Sequence, residues 1–76
     1  MKELVEFLAR ELVDDPDAVE VTEVHSDAGV VLRLKVAPED MGKVIGRGGR
    51  MARSIRAVVR AAATQAGVQA SVEIVE

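Results

Sequence analysis

The sequence predicts an α+β fold in the order αββααβ, with a three-stranded sheet covered on one face by three helices. Residues 30–36 alternate apolar and polar side chains, as in a strand with one buried face. Residues 2–13 and 50–66 instead place apolar side chains at helical spacing. A glycine-rich stretch at 46–49 separates the last helix from a shorter one before it. We find no linker or repeat, so residues 1–76 are expected to form a single domain.

Length and composition place the chain near the lower size limit of independently folding domains. It has 76 residues, 49% of them apolar, with Phe7 as the single aromatic residue and no cysteine. The absence of cysteine excludes disulfides and thiolate metal sites. A domain of this size therefore needs either a well-packed core or an apolar surface that is buried against another chain, and we favour burial in an oligomer. No segment approaches the roughly 20 apolar residues of a membrane span. The first residues lack the apolar stretch of a signal peptide, so we expect a cytoplasmic protein.

The first element is predicted to be a helix over residues 2–13. Its apolar residues at helical spacing are Leu4, Val5, Leu8 and Leu12. One side of this helix should therefore face the core. The turn Asp14-Asp15-Pro16-Asp17 ends the helix, because the residue before a proline avoids the α region and proline cannot continue the hydrogen-bond pattern.

A β-hairpin is predicted next. Residues 19–25 are rich in β-branched side chains, and the alternation slips at Val24, which predicts either a bulge or a strand with apolar residues on both faces. Residues 26–29 read Ser-Asp-Ala-Gly, a turn. Residues 30–36 then form the clearer strand, with apolar side chains at every second position.

Two helices and a closing strand complete the predicted fold. Pro38 suits the first position of a helix that runs to about Ile45, and a longer helix runs from about Arg50 to Ala66, where Gly67 stops it. The apolar side of this longer helix is predicted to contain Met51, Ile55, Val58, Val59, Ala62 and Ala66. Its opposite side carries Arg50, Arg53, Arg56 and Arg60. Residues 70–74 alternate as a last strand.

Positive and negative charges are segregated along the chain. Residues 1–40 carry eleven acidic and four basic side chains, whereas residues 41–72 carry six basic and no acidic ones. The net charge of −3 therefore hides a strongly basic segment. Charges beyond about 10 Å are largely screened at cellular salt, so the local excess matters more for contact than the total. We interpret the acidic part as a solvated surface that limits indiscriminate binding.

The most informative stretch is Val44-Ile45-Gly46-Arg47-Gly48-Gly49-Arg50, a cationic glycine hinge between the two later helices. Glycines lack the Cβ atoms that would keep a polyanion away from the protein backbone. Two arginines place positive charge at the same point, and a helix that begins there directs its free N–H groups to it. This combination indicates nucleic-acid binding. A purely structural turn is the alternative, although such a turn does not require two arginines.

Other functions of this glycine stretch do not fit its context. A dinucleotide-binding fingerprint follows a strand and needs a further glycine, and a Walker A loop needs Lys-Ser/Thr after its last glycine. An enzyme is not indicated, because Ser54 has no candidate base and His25 stands alone. We expect no cofactor and no metal site.

The same residues resemble the core of a KH domain. The signature of that family is an apolar pair, then G-x-x-G, then an apolar residue in the next helix, here Val44-Ile45, Gly46–Gly49 and Ile55. The αββααβ order is similar to that of type II KH domains, and the resemblance covers nearly the whole chain. A KH domain of this length, with Asp-Pro-Asp-Ala-Val-Glu-Val at residues 15–21, resembles the small bacterial KhpA-type RNA-binding proteins.

The resemblance implies a single-strand RNA-binding protein, acting as an RNA chaperone or post-transcriptional regulator. KH domains clamp about four nucleotides with the G-x-x-G loop. Carried onto this sequence, the RNA-binding residues are Lys43, Ile45, Gly46, Arg47, Gly48, Gly49, Arg50 and Arg53. The floor under the bases would be Ile45, the aliphatic residues after the loop and the edge of strand 30–36. Without aromatic stacking, we expect weak, salt-dependent binding with low sequence specificity.

A second hypothesis is an assembly adaptor whose main partner is a protein. The small residues Ala57, Ala61 and Ala63, with Thr64, predict a seam where another helix can approach closely. The resemblance implies homodimers, or heterodimers with a larger KH-containing protein of the KhpB/Jag type, involved in cell elongation and cell-shape control. A KH module of ribosome or transcription complexes is a third hypothesis. The sequence leaves open the RNA target, RNA against single-stranded DNA, and homodimer against heterodimer.

Overall fold

The computed structural model describes residues 1–75, and the side chain of Arg47 and the whole of Glu76 lie outside the described part. The elements are α1 (Lys2–Leu12), β1 (Glu20–Ser26), β2 (Gly29–Lys35), α2 (Pro38–Ala66) and β3 (Ala70–Val75), and a 3-10 turn at Pro16–Ala18 connects α1 to β1. Outside α2, these boundaries agree with the predicted ones to within a residue.

The long element α2 contains the glycine stretch and is not a straight helix. A straight helix of 29 residues would be about 43 Å long, whereas the longest dimension of the molecule is 34 Å. Gly48 and Gly49 have φ values of 70° and 72°, which a regular right-handed helix does not contain. We therefore divide α2 into a first segment, residues 38–47, and a second segment, residues 50–66.

The break in α2 lies later than predicted. Helical structure continues through Gly46 and Arg47, past the predicted end at Ile45, because the backbone leaves the right-handed region only at Gly48 and Gly49. Within the described residues, α1 and the two segments of α2 are the three helices that the sequence predicted. The α+β fold class is confirmed.

The strands form one mixed sheet in the order β1-β2-β3. β1 and β2 are antiparallel, with an uninterrupted register from Glu20 opposite Lys35 to Ser26 opposite Gly29. The predicted hairpin is therefore confirmed, and a bulge at Val24 is wrong, since Val24 pairs in register with an exposed side chain. β2 and β3 are parallel. A parallel pair needs a long crossover connection, which α2 supplies.

The helices cover one face of the sheet and enclose the core. The strand residues that are buried there are Val19, Val21, Val30, Leu32, Leu34, Val36 and Val72, counting those that flank the strands. The helix residues that meet them are Val5, Ala9, Val44, Ala52, Ile55, Val59 and Ala63. The alternation predicted for β2 and β3 is confirmed.

The apolar stripes predicted for the helices are partly wrong. Leu12 is 41% exposed and Val58 is 36% exposed, and Ala66 is exposed as well. The apolar arc on each helix is wider than the strip that touches the sheet, so helical spacing alone does not locate the centre of the contact. Among residues 1–75, no helix has the length and apolar character that crossing a membrane requires.

The other face of the sheet is open and carries ion pairs between neighbouring strands. Arg33 Nε lies 3.1 Å from a carboxylate oxygen of Glu73, and Lys35 Nζ lies 3.8 Å from one of Glu20. The strand register places the partners of each pair opposite each other. Both basic residues of the hairpin are therefore paired locally.

Candidate nucleic-acid interface

The first segment of α2 presents the residues that precede the glycine stretch. Pro38 lies in its first turn, where an amide N–H has no partner within the helix in any case. Val44 is buried and anchors the segment, so Lys43 and Ile45 on either side of it lie at the surface. Ile45 is 53% exposed, which leaves an aliphatic side chain available for contact with a ligand.

The glycines of the G-x-x-G stretch lie in open space. A Cβ atom added at Gly46 or Gly49 would meet no other described atom within 4 Å, and at Gly48 the nearest is Arg53 Nη2 at 3.9 Å. The positive φ values account for glycine at 48 and 49. Gly46 has neither a positive φ nor a close neighbour, although a helical glycine costs about 1 kcal/mol relative to alanine. Backbone conformation therefore does not explain Gly46, whose bare surface a ligand could approach.

A groove of about 480 Å³ lies beside this glycine corner. The residues that line it are Gly42, Lys43, Gly46, Arg50 and Met51. The groove thus brings together three of the predicted site residues, which come from both segments of α2. Ile45 and Arg53 are exposed in the adjoining turns without lining it.

Sequence reasoning missed two residues of this groove, Gly42 and Met51. Gly42 lies one turn before Gly46, so both leave the same side of the helix bare; the i, i+4 spacing of the two glycines was the available signal. Met51 was assigned to the core and is half-buried. The floor expected at the edge of strand 30–36 stays a prediction: β2 is the central strand of the sheet, and its residues are not among the described residues that line the groove.

The second segment of α2 carries a row of arginines without carboxylate partners. These are Arg50, Arg53, Arg56 and Arg60, all exposed and, within the described part of the chain, none in a salt bridge. By contrast, Arg10, Arg33 and Lys35 each pair with a carboxylate. The positive charge beside the glycine corner is therefore uncompensated, and its field attracts anions. The side chain of Arg47 lies outside the described part, so its role stays a prediction.

Lys43 differs from these arginines, because its Nζ lies 2.8 Å from Asp14 Oδ1. The backbone N–H groups of Asp14 and Asp15 each donate to a carboxylate oxygen of Asp40 at 3.1 Å. Asp40 is only 1% exposed. Asp14 and Asp40 are 26 residues apart in sequence, so no local pattern predicts this contact. Across residues 1–75, no group of three or more His, Asp or Glu side chains is placed to hold a metal ion.

Comparison with known protein families identifies the family of this chain. A family profile described as KhpA/KhpB, KH domain matches residues 2–74. The chain belongs to the KhpA/KhpB KH-domain family. The resemblance inferred from the G-x-x-G stretch and the element order is thereby confirmed.

Individual KhpA relatives cover the chain from end to end. A protein named RNA-binding protein KhpA from Caldanaerobacter subterraneus subsp. tengcongensis is 55% identical over 99% of this chain and 100% of its own length. Its namesake from Clostridium acetobutylicum is 53% identical over the same shares. The RNA-binding protein KhpA of Aquifex aeolicus is 43% identical over 100% of this chain and 96% of its own length. No solved structure matches the chain significantly.

Proposed function

We propose that this protein binds single-stranded RNA by gripping its backbone at the glycine corner of α2. The observation that carries the proposal is the bare backbone at Gly46, Gly48 and Gly49 beside Arg50 and Arg53, which form no salt bridge within the described residues. A phosphate can approach the backbone closely there and meet guanidinium groups at the same time. The relatives named RNA-binding protein KhpA support the same function.

The proposed RNA-binding residues are Lys43, Ile45, Gly46, Arg47, Gly48, Gly49, Arg50 and Arg53. The three glycines leave room for the sugar–phosphate backbone, and the three arginines pair with phosphate oxygens. Lys43 extends this cationic row by one helical turn before the loop. Ile45 offers its exposed side chain to the apolar face of a base.

The proposed binding is weak and depends on salt. The chain has no Trp or Tyr, so it lacks the stacking that contributes about 1–3 kcal/mol per base on aromatic platforms. With three or four phosphates contacted, the affinity should fall with salt at a log–log slope of about −2 to −3. Phosphate contacts carry no sequence information. We therefore propose a cytoplasmic RNA chaperone or post-transcriptional regulator of low sequence specificity, with no catalytic step.

The test is fluorescence anisotropy of a short labelled single-stranded RNA, titrated with wild type and with the Arg47→Asp/Gly48→Asp variant. The variant places carboxylates where phosphates are proposed to lie, so binding should fall by at least about tenfold, or 1.4 kcal/mol. Aspartate tolerates the left-handed conformation of Gly48 better than most residues. Circular dichroism should therefore show a folded variant.

A matched control separates the loop from total charge. Arg10→Asp/Ala28→Asp changes the net charge by the same amount at two exposed positions in α1 and the hairpin turn. This variant should bind RNA nearly as well as wild type. If both double variants lose binding equally, net charge controls the interaction and the loop assignment is wrong.

We infer a second, compatible function as a dimerising adaptor from a different surface. A shallow groove of about 680 Å³ lies between α1 and the second segment of α2, and its lining includes Leu4, Ala57, Val58 and Ala61. Small side chains allow a second helix to approach closely. Ala63 was predicted to belong to this seam and is instead buried in the core. The proposed partner is a second copy or a KH-containing protein of the KhpB/Jag type, in cell elongation and cell-shape control.

Sedimentation velocity of wild type and Ala61→Glu tests the adaptor. A charged, longer side chain in the seam should shift a dimer to monomer while RNA binding at the loop persists. Ala28→Glu, in the exposed hairpin turn, is the control and should stay dimeric. A wild type that is monomeric at every concentration contradicts the homodimer, and the same variants are then tested with the KhpB/Jag-type protein added.

A further inference from the structure

Lys43 meets an acidic side chain at the groove beside the glycine corner. Its Nζ lies 2.8 Å from Asp14 Oδ1, and Lys43 lines the groove that also contains Gly46 and Arg50. The side chains of Lys43 and Asp14 are 43% and 82% exposed, so a ligand can reach both. Lys43 therefore already has an anionic partner before any RNA phosphate arrives.

The position of Asp14 depends on its backbone, which is fixed. The N–H groups of Asp14 and Asp15 donate to the two carboxylate oxygens of Asp40 at 3.1 Å each. Asp40 is buried in the first turn of α2, about one turn before Lys43. A buried carboxylate that accepts two N–H hydrogen bonds near the positive end of a helix holds the donating backbone in place. Asp40 thus holds the acidic turn against the segment that carries Lys43.

We propose that Asp14 is an affinity-limiting residue that competes with an RNA phosphate for Lys43. The inference rests on the proposed function of the glycine corner. An exposed Lys–Asp pair contributes little to stability, so a phosphate can displace the carboxylate. The displaced Asp14 stays beside the groove, however, because its backbone is anchored, so its carboxylate continues to compete with the phosphate for the Lys43 ammonium group. RNA binding is therefore weaker than the row of cations alone would produce.

The competition acts at one end of that row. Arg50 and Arg53 form no salt bridge within the described residues, whereas Lys43, at the other side of the glycine corner, is paired. Because of Asp14, most of the phosphate contacts are therefore made by the loop and the second segment of α2. Asp14 also reduces the number of counterions released from the RNA on binding, because a Lys43 that is paired with Asp14 neutralises a phosphate less completely.

The test compares Asp14→Asn with Asp17→Asn. Both remove one negative charge from the same turn, but Asp17 forms no ion pair within residues 1–75. The dissociation constant of a fluorescein-labelled oligouridine is measured by anisotropy at several salt concentrations. Asp14→Asn should bind roughly two- to fivefold more tightly, with a log–log salt slope steeper by up to about 0.7. Asp17→Asn should stay close to wild type.

Variants made in Lys43→Gln protein test whether Asp14 changes RNA affinity through Lys43. In Lys43→Gln, adding Asp14→Asn should give no gain, since no lysine is left to release. A gain that persists there overturns the inference, as does an Asp14→Asn variant that binds no better than Asp17→Asn. Folding should survive in each case, because Asp14 reaches Asp40 through its backbone N–H; circular dichroism checks this.

The outcome also separates this inference from the proposed function. If the Arg47→Asp/Gly48→Asp variant loses binding while Asp14→Asn and Asp17→Asn behave alike, only the role of Asp14 fails. If the loop variant binds oligouridine like wild type, the glycine corner is not the site. If no protein binds, Asp14→Asn included, both proposals are overturned.

Discussion

Two glycine corners of this molecule share a positive φ and differ in their surroundings. Gly29 closes the hairpin turn with φ 128°, and Gly49 bends α2 with φ 72°. A Cβ atom at Gly29 would collide with the carbonyl oxygen of Gln69, next to the start of β3. A Cβ atom at Gly49 would meet no other described atom within 4 Å.

The difference distinguishes glycine needed for packing from glycine that leaves a surface accessible. The Gln69 carbonyl oxygen, which leaves no room for a Cβ atom at Gly29, also accepts a hydrogen bond from the Val30 N–H at 2.9 Å. This bond holds the start of β2 against the residue that precedes β3. At the corner of α2, the backbone faces open space beside Arg50 and Arg53, which form no salt bridge among the described residues. The positive φ of Gly29 thus serves the fold, whereas the corner of α2 can serve a ligand.

Gly29→Ala should have the largest effect on stability, and it tests whether the packing around Gly29 requires glycine. The left-handed φ and the collision with Gln69 should together lower the free energy of unfolding by about 3 kcal/mol. Urea unfolding followed by circular dichroism measures the change. Gly42→Ala is the control: it lies in regular helix with open space at its Cβ and should stabilise the protein by about 0.5–1 kcal/mol. Equal stabilities of the two variants would show that the hairpin corner relaxes freely.

Gly46→Ala tests the open corner of α2, because the free energy of unfolding should rise while RNA affinity falls. Alanine favours the helix by about 0.5–1 kcal/mol, while its methyl group obstructs the bare backbone. RNA affinity should fall about threefold or more, roughly 0.7 kcal/mol, measured by anisotropy beside urea unfolding. Ser54→Ala, at an exposed helical position, is the control and should leave RNA affinity unchanged. An undiminished affinity in Gly46→Ala would mean that no ligand uses the bare surface.

The smallest effects should come from single arginines, graded by their distance from the corner. Arg53→Gln removes one proposed phosphate contact and should make the log–log salt slope shallower by about 0.7. Arg60 lies about 10 Å further along the helix, close to the screening length at cellular salt, so Arg60→Gln should change the slope little. Equal effects of the two substitutions would indicate diffuse attraction to the whole helix rather than a site at the corner.

Local patterns were sufficient for most of the fold. Alternation identified β2 and β3, the Ser-Asp-Ala-Gly turn identified the hairpin, and the cationic glycine stretch identified the groove that contains Lys43 and Arg50. Each of these features depends on residues that are close in sequence. The exact break in α2 was missed because glycine permits both helical and left-handed conformations, and sequence alone does not select between them.

Contacts between distant residues were not predictable in the same way. The side of α2 that touches the sheet was misjudged at Val58, because alanines all around the helix leave its rotation undetermined. The central position of β2 followed from strand pairing, and the burial of Asp40 followed from two N–H groups at the end of α1. Charge segregation was visible in the sequence, but the pairing of Lys43 with Asp14 was not.

The sequence by itself determined the element order, the glycine corner with its positive charge, and the KH resemblance, since periodicity, glycine content and charge act over a few neighbouring residues. Only the tertiary structure decided which cations form ion pairs among the described residues, and which glycine is packed and which is open. Those properties depend on what the fold brings within a few ångströms of a residue: Gln69 beside Gly29, and Asp14 beside Lys43.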